Sequence, residues 1–336
     1  MLVKKQFLLS ILLAAVINCC YSQITELTYA EKLGYPKGAK VLIIHVDDAG
    51  MSYDSNQGTI DAITNGAANS CSVMMPCPWV PAFVHYLKQH PGIDAGLHLT
   101  LTSEWDGYRW GSVTGKTVTQ GLTDKEGNLW PSVEEVVAHA SADEVEKEIR
   151  AQLEKARTMG FEPTHLDSHM GTLFATPEFL KRYVTVGIEN QIPVMLPGGH
   201  DVLIQQQMNA SPEMISGLRM LGNVLWTGGL PVLDDLHNYS YEWPIADSIA
   251  NDDKKLQAFK TAKYIEAIHL LKPGVTMMIM HCTNPSAIFK EITDSGPTRK
   301  GDMLAMNDPA FKKALKDAGI ILTTWKELKE RRLKVK

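Results

Sequence analysis

The chain has 336 residues, 44% of them hydrophobic and 21% charged, with a net charge of −5. That length can bury one large core or two small ones. The weakly acidic balance, with basic residues gathered only at the extreme C-terminus (Lys326–Lys336), argues against a nucleic-acid partner.

The first 22 residues read as an export signal. Lys4 and Lys5 supply a positive start, Phe7–Ile17 a short apolar core, and Cys20 and Ser22 the small residues before a cut at Gln23. The mature domain is then 23–336, and the expected location is periplasmic or extracellular. A lipid anchor on Cys19 is the competing reading, disfavoured by the bulk of Asn18 before it. No later stretch is long and apolar enough to span a bilayer.

The first predicted strand, Val41–Val46, runs straight into Asp47 and Asp48. Two adjacent carboxylates repel, and burying them unpaired is costly. Further strands are predicted at Ser70–Met75, Asp94–Leu99, Thr164–Ser168, Ile192–Leu196, Val275–His281 and Ile320–Thr324. Several are apolar without strict alternation, as expected of strands buried on both faces. Between them lie helices with clear ends. Ser141 and Glu144 form a capping box for a helix over 142–159, which Gly160 closes. Pro177 and Pro309 each open another helix. This alternation predicts a parallel α/β sheet or barrel in one domain. Pro197 to Ala250 breaks the pattern and is expected to be an elaborated loop region. Of the later cysteines, Cys71 and Cys77 either pair or serve as small buried residues, and Cys282 is left single.

In parallel α/β folds the functional residues sit at the C-terminal ends of the strands. Here those ends carry Asp47 and Asp48, then His98, then His165, Asp167 and His169, and finally His281. Gathered by one closed sheet they make a cluster of oxygen and imidazole ligands without thiolates. Such a set suits a divalent cation, with Zn²⁺, Mn²⁺, Co²⁺ and Mg²⁺ as candidates.

The motifs "VDDAG" (Val46–Gly50), "GLHLTLT" (Gly96–Thr102), "THLDSH" (Thr164–His169) and "MIMHC" (Met278–Cys282) occur in the order seen in a known family. The sequence resembles the YdjC-like carbohydrate (chitooligosaccharide) deacetylases, related to the NodB-type polysaccharide deacetylases. The resemblance implies a TIM-like (β/α) barrel, distorted and short of eight regular strands. It also implies an Asp-His-His metal site and hydrolysis of N-acetyl groups on sugars. Carried over by motif, Asp48, His98 and His169 hold the metal, Asp47 is the catalytic base, and His281 stands where the general acid is expected. Zn²⁺ and Mg²⁺ are the first choices of ion. Two departures stand out. Typical members follow the third motif with a further histidine at an alternate position, where this chain has Met170 and Gly171. They often carry asparagine and alanine before the aspartates, where this chain has His45 and Val46.

The chemistry fits those roles. Amide hydrolysis needs an activated water and a protonated leaving nitrogen. A cation lowers the pKa of bound water to about 7 in the case of zinc. Asp48 on the cation also relieves its repulsion with Asp47, which is then free to take the water proton. His281 needs its proton, and a nearby carboxylate is expected to raise its pKa. Asp167 either orients a histidine or holds His281 protonated. His45 and His165 lie two residues from better candidates, so they are expected to reach the same pocket. Trp105, Tyr108 and Trp110 cluster after the His98 strand and are candidate stacking surfaces for an acetylated oligosaccharide, as is Trp79 after the second strand. The alternatives are a phosphoester or cyclic-amide hydrolase on the same barrel, or a glycan-binding protein that has lost its chemistry. Asp47, Asp48, His98 and His169 all being present argues against the last.

Overall fold

The computed structural model describes residues 27–335. The export signal over residues 1–22, with Cys19, therefore lies outside the described residues. Among those described, no helix is long and apolar enough to cross a membrane.

Strand β1 (Lys40–Ala49) is the centre of the molecule, and every residue after Lys40 is buried. Its apolar run is explained by partners on both edges. Along Lys40–Val46 it pairs with β6 (Gly274–Met280). On its other edge it pairs first with β7 (Ile321–Leu322), at Val41 and Leu42, and then with β2 (Ser70–Val73) from His45 onward. β2 pairs with β3 (Ala95–Leu99), β3 with β4 (Leu166–Ser168), and β6 with β5 (Asp235–His237). All these pairings are parallel. Two isolated parallel bridges, Leu166 to Val194 and Pro197 to Leu233, join the β4 edge to the β5 edge. The sheet thus closes into a distorted parallel (β/α) barrel in one domain, wrapped by helices.

The predicted helix signals act as expected. Ser141 and Glu144 form a reciprocal capping box for helix Ala142–Thr158, and Gly160 follows with a φ of +77°. Thr176 caps helix Pro177–Asn190 and Asp308 caps helix Pro309–Asp317.

Other expectations need correction. Ile192–Leu196 supplies a single bridge rather than a ladder, Val194 to Leu166, and the bridge to the segment before β5 comes from Pro197 just beyond it. Residues 197–250 are not an elaborated loop. They hold helices Val202–Met208 and Pro212–Thr227 and the missed strand β5. β5 reads as polar because Asp235 serves the backbone, accepting hydrogen bonds from the N–H groups of Leu203 and Ile204. Cys71, Cys77 and Cys282 are buried free thiols, so Cys71 and Cys77 do not pair.

Candidate metal centre

Along a regular strand, neighbours point to opposite faces. Asp47 and Asp48 nevertheless reach the same imidazole: His98 Nε2 lies 3.8 Å from Asp47 Oδ2 and 3.3 Å from Asp48 Oδ1. The backbone explains it. Asp48 adopts a left-handed conformation with φ of +67°, and the β1–β2 register shifts between Val46 and Ala49. This bulge turns both carboxylates toward the barrel axis. A non-glycine residue in that conformation carries a cost that surrounding structure has to hold in place, a situation typical of functional sites.

Asp48, His98 and His169 converge as expected. His169 Nδ1 lies 3.2 Å from His98 Nε2 and 3.5 Å from Asp48 Oδ1, which completes a triangle of 3.2, 3.3 and 3.5 Å. A tetrahedral cation with ligand bonds of about 2.0–2.2 Å separates its ligand atoms by roughly 3.4 Å. Asp48 Oδ1 is buried and accepts no hydrogen bond among the described residues. The three residues therefore fit a divalent cation.

The outer nitrogens make the fit specific. His98 donates from Nδ1 to Asp167 Oδ1 at 2.6 Å, leaving Nε2 to face the triangle. His169 is held the other way round. Its Nε2 donates to Glu104 Oε2 at 3.2 Å, leaving Nδ1 to face the triangle. Each of the two histidines thus has its tautomer set by a carboxylate behind it, an arrangement that suits a metal site. His169 reaches this pose through a sharp turn in which Met170 and Gly171 both have positive φ.

Burial alone depresses an imidazole's pKa, yet here the carboxylates win. Asp47 and Asp167 hold His98 well above its ordinary value despite burial. Glu104 and Asp48 do the same for His169, raising it to about 9. Burial raises Asp48, but Arg299, His169 and His98 together hold it well below the carboxylate range.

Two residues at this site escaped the sequence reading. Arg299 donates from Nη1 to Asp48 Oδ2 at 2.6 Å, and both groups are buried. Its guanidinium lies near the rings of Trp105 and Tyr241, at 5.7 and 5.4 Å. It comes from helix Gly296–Met306, with no local pattern to mark it. Glu104 lies in the loop after β3, next to Trp105.

Asp47 meets three other groups: Ser72 Oγ donates to its Oδ1 at 3.3 Å, His45 Nε2 lies 3.1 Å from Oδ1, and His281 Nε2 lies 3.9 Å from Oδ2. His281 follows β6, its backbone N–H donating to Asp302 Oδ2 at 3.1 Å. Asp302 Oδ1 accepts from Lys260 and Tyr264 at 2.8 Å each, which anchors the strand end. The expected rise in the His281 pKa is not found. Burial, with Arg299 close by, lowers it in spite of Asp48 and Asp47.

Asp167 resolves in favour of orienting His98; it does not hold His281. Its Oδ2 lies 3.0 Å from His45 Nε2, so His45 sits between Asp167 and Asp47, fully buried beneath the site. Burial lowers the His45 pKa, but these two carboxylates more than offset it and hold it at about 9. His165 is no pocket residue. It is fully buried and stacked on Trp325 at 5.2 Å, and burial lowers its pKa. Its position just before β4, rather than within it, turns it into the packing below. Trp110 is also no stacking surface, being buried with Nε1 donating to Thr102 O at 2.9 Å. Trp105 and Tyr108 are half-buried, each edge-on to Trp110. Tyr108 donates to Met51 O at 2.6 Å and so ties its loop to the end of β1.

A family model described as YdjC-like protein matches residues 41–317. A carbohydrate deacetylase from Thermus thermophilus is 28% identical over 303 residues, covering 89% of this chain and 97% of that protein. A chitooligosaccharide deacetylase from Yersinia enterocolitica is 32% identical over 135 residues, covering 39% of this chain and 49% of that protein. A crystal structure from Enterococcus faecalis, carrying the provisional description of a cellobiose-phosphate cleavage protein, superposes with a TM-score of 0.68. It shares 19% identity over 86% of this chain and 99% of its own, a likeness in fold.

Proposed function

The chain belongs to the YdjC-like protein family, and on that premise we propose that it is a divalent-metal-dependent hydrolase that removes the acetyl group from an N-acetylated carbohydrate. One observation carries the proposal. Two imidazoles, each held from behind by a carboxylate, turn their free nitrogens onto the bare Asp48 Oδ1. The relatives named as deacetylases supply the substrate class.

Asp48, His98 and His169 would hold the cation, with Zn²⁺ or Mg²⁺ first and Mn²⁺ or Co²⁺ as alternatives; two imidazoles favour zinc. A cation held there would supply an acidified water and a polarised acetyl carbonyl. Asp47, uncommitted to the ion, accepts the water proton, and the hydrogen bond from Ser72 and the His45 contact keep its carboxylate in place. Arg299 fixes the second oxygen of Asp48, which leaves Oδ1 facing His98 and His169. His281 is the proton donor to the leaving nitrogen. Its lowered pKa makes its protonated form a stronger acid, and Asp47, 3.9 Å away, is the near source of the proton it passes on. Arg299 is engaged by Asp48, so nothing here favours a phosphoester substrate.

Residues 1–22 support export to the periplasm or the cell exterior, with maturation at Gln23. Mass spectrometry of the native protein tests this, and a diacylglycerol on Cys19 would overturn it in favour of a lipoprotein. The activity is tested by acetate release from a panel of acetylated glycans, with and without added cation after stripping. Cation-dependent release is expected, and no release from any member would contradict the proposal.

A further inference from the structure

Lys260, on helix Asp253–Leu270, is fully buried, and so is its partner Asp302. Charges are costly to bury unless paired and hydrogen-bonded. An ammonium has three N–H groups to place. All three are engaged here: Nζ donates to Asp302 Oδ1 at 2.8 Å, to Thr298 Oγ1 at 2.8 Å and to Ser240 O at 3.0 Å. With its donors occupied and no exposed surface, Lys260 acts through what it holds.

Each partner stands beside a residue already placed at the candidate site. Thr298 precedes Arg299, whose Nη1 donates to Asp48 Oδ2 at 2.6 Å. Asp302 Oδ2 accepts from the backbone N–H of His281 at 3.1 Å. Ser240 precedes Tyr241, whose ring stands edge-on to the His281 imidazole, with centroids 4.9 Å apart and planes at 70°. Ser240 Oγ also donates to Ile279 O at 3.0 Å, just before His281. One buried ammonium thus joins segments 20, 38 and 42 positions away.

His281 depends on such support. His98 and His169 are each turned by a carboxylate behind the ring. The Nδ1 of His281 is buried with no hydrogen-bond partner among the described residues. Its imidazole is therefore oriented by its backbone and by the Tyr241 ring.

We propose that the Lys260–Asp302 pair is a positioning device for proton donation: it sets where His281 stands and, through the Tyr241 turn, how its imidazole is turned. This deepens the deacetylase reading above and rests on it. A buried ion pair can often be replaced by apolar residues of similar volume with no loss of stability, so stability alone does not account for this one. Its directed hydrogen bonds fix geometry instead, and a misplacement of about 1 Å in a reacting group can cost about 100-fold in rate.

The double variant Lys260→Met/Asp302→Leu removes both charges, so that neither is left buried alone. Tyr241→Ala removes only the ring on His281, and Tyr241→Phe restores it. Tyr241 is half-buried, so its variants keep the proposal testable if the double variant does not fold. Each is compared with wild type for thermal unfolding, for zinc affinity by calorimetry, and for kcat and KM on matched N-acetyl and O-acetyl glycans. The double variant should lose roughly 10- to 100-fold in kcat on the amides, with KM and zinc affinity near wild type. The esters, which need less protonation on departure, should slow far less. Tyr241→Ala should show the same pattern more weakly, and Tyr241→Phe should recover most of the loss. Amide and ester slowed alike, or variants as fast as wild type, would overturn the positioning role. Wild type that releases no acetate from any glycan would overturn the deacetylase reading instead. The crystal structure of the double variant then decides the pair's role: His281 displaced from Asp47 supports it, and His281 unmoved overturns it.

Discussion

Asp167→Asn isolates what the carboxylate behind His98 contributes to the metal. Asp167 divides its oxygens: Oδ1 accepts from His98 Nδ1 at 2.6 Å, and Oδ2 faces His45 Nε2 at 3.0 Å. Asparagine keeps an acceptor for His98 but removes the charge. A buried hydrogen bond to a charged group is worth about 1.5–3 kcal/mol, and changing such a supporting partner typically weakens a metal site by about 10–100-fold. The cation's Kd should therefore rise by about 10- to 100-fold. At saturating cation the variant should recover turnover to within a few-fold of wild type, because His98 still presents Nε2. Calorimetric metal titration of the stripped protein, with turnover measured against cation concentration, gives both numbers. Thermal unfolding of the stripped variant accounts separately for the lost His45 contact. Unchanged metal affinity, or turnover lost at every cation concentration, would show that Asp167 does not support the metal through His98.

Asp47→Asn should bind the cation normally yet lose about 10²–10⁴-fold in kcat, since an amide cannot take the water proton; loss of the metal instead would exchange the roles of the two aspartates. His281→Ala should keep the metal and slow amide substrates far more than O-acetyl esters, which need less protonation on departure. Equal slowing of both would make His281 an orienting group. His45→Gln concerns stability. The folded-state pKa of His45, about 9, lies above its unfolded value of about 6.5. Its contribution is therefore complete below pH 6.5 and lost as pH rises through about 9. In stripped protein the Tm gap between wild type and His45→Gln should be widest near pH 6 and shrink toward pH 9, and a gap constant across that range would contradict the His45 account.

The sequence was most legible where local chemistry and tertiary structure agree. Val41–Val46 reads as a doubly buried strand because it is one, and Ser141 and Glu144 mark a helix start by hydrogen bonds that span three residues. The convergence of Asp48, His98 and His169 was legible because each stands at or next to a strand end, and parallel strands bring their ends together. What escaped depends on distance along the chain or on backbone geometry. The left-handed turn at Asp48 lets adjacent aspartates share a face, which a period of two forbids. Arg299 meets Asp48 across 251 positions. His45 and His165 share a face with good candidates in an ideal strand, yet one lies beneath the site and the other is stacked on Trp325. Trp110 looks like a sugar platform in sequence, but its indole N–H is engaged inside its own loop. β5 hid because its aspartate serves a neighbouring helix.

Anomalous diffraction from crystals of the protein loaded with Zn²⁺ decides whether Asp48, His98 and His169 hold one catalytic cation. One peak is expected within about 2.0–2.2 Å of Asp48 Oδ1, His98 Nε2 and His169 Nδ1. A peak bound elsewhere, or His169 coordinating through Nε2 with Glu104 displaced, would contradict it.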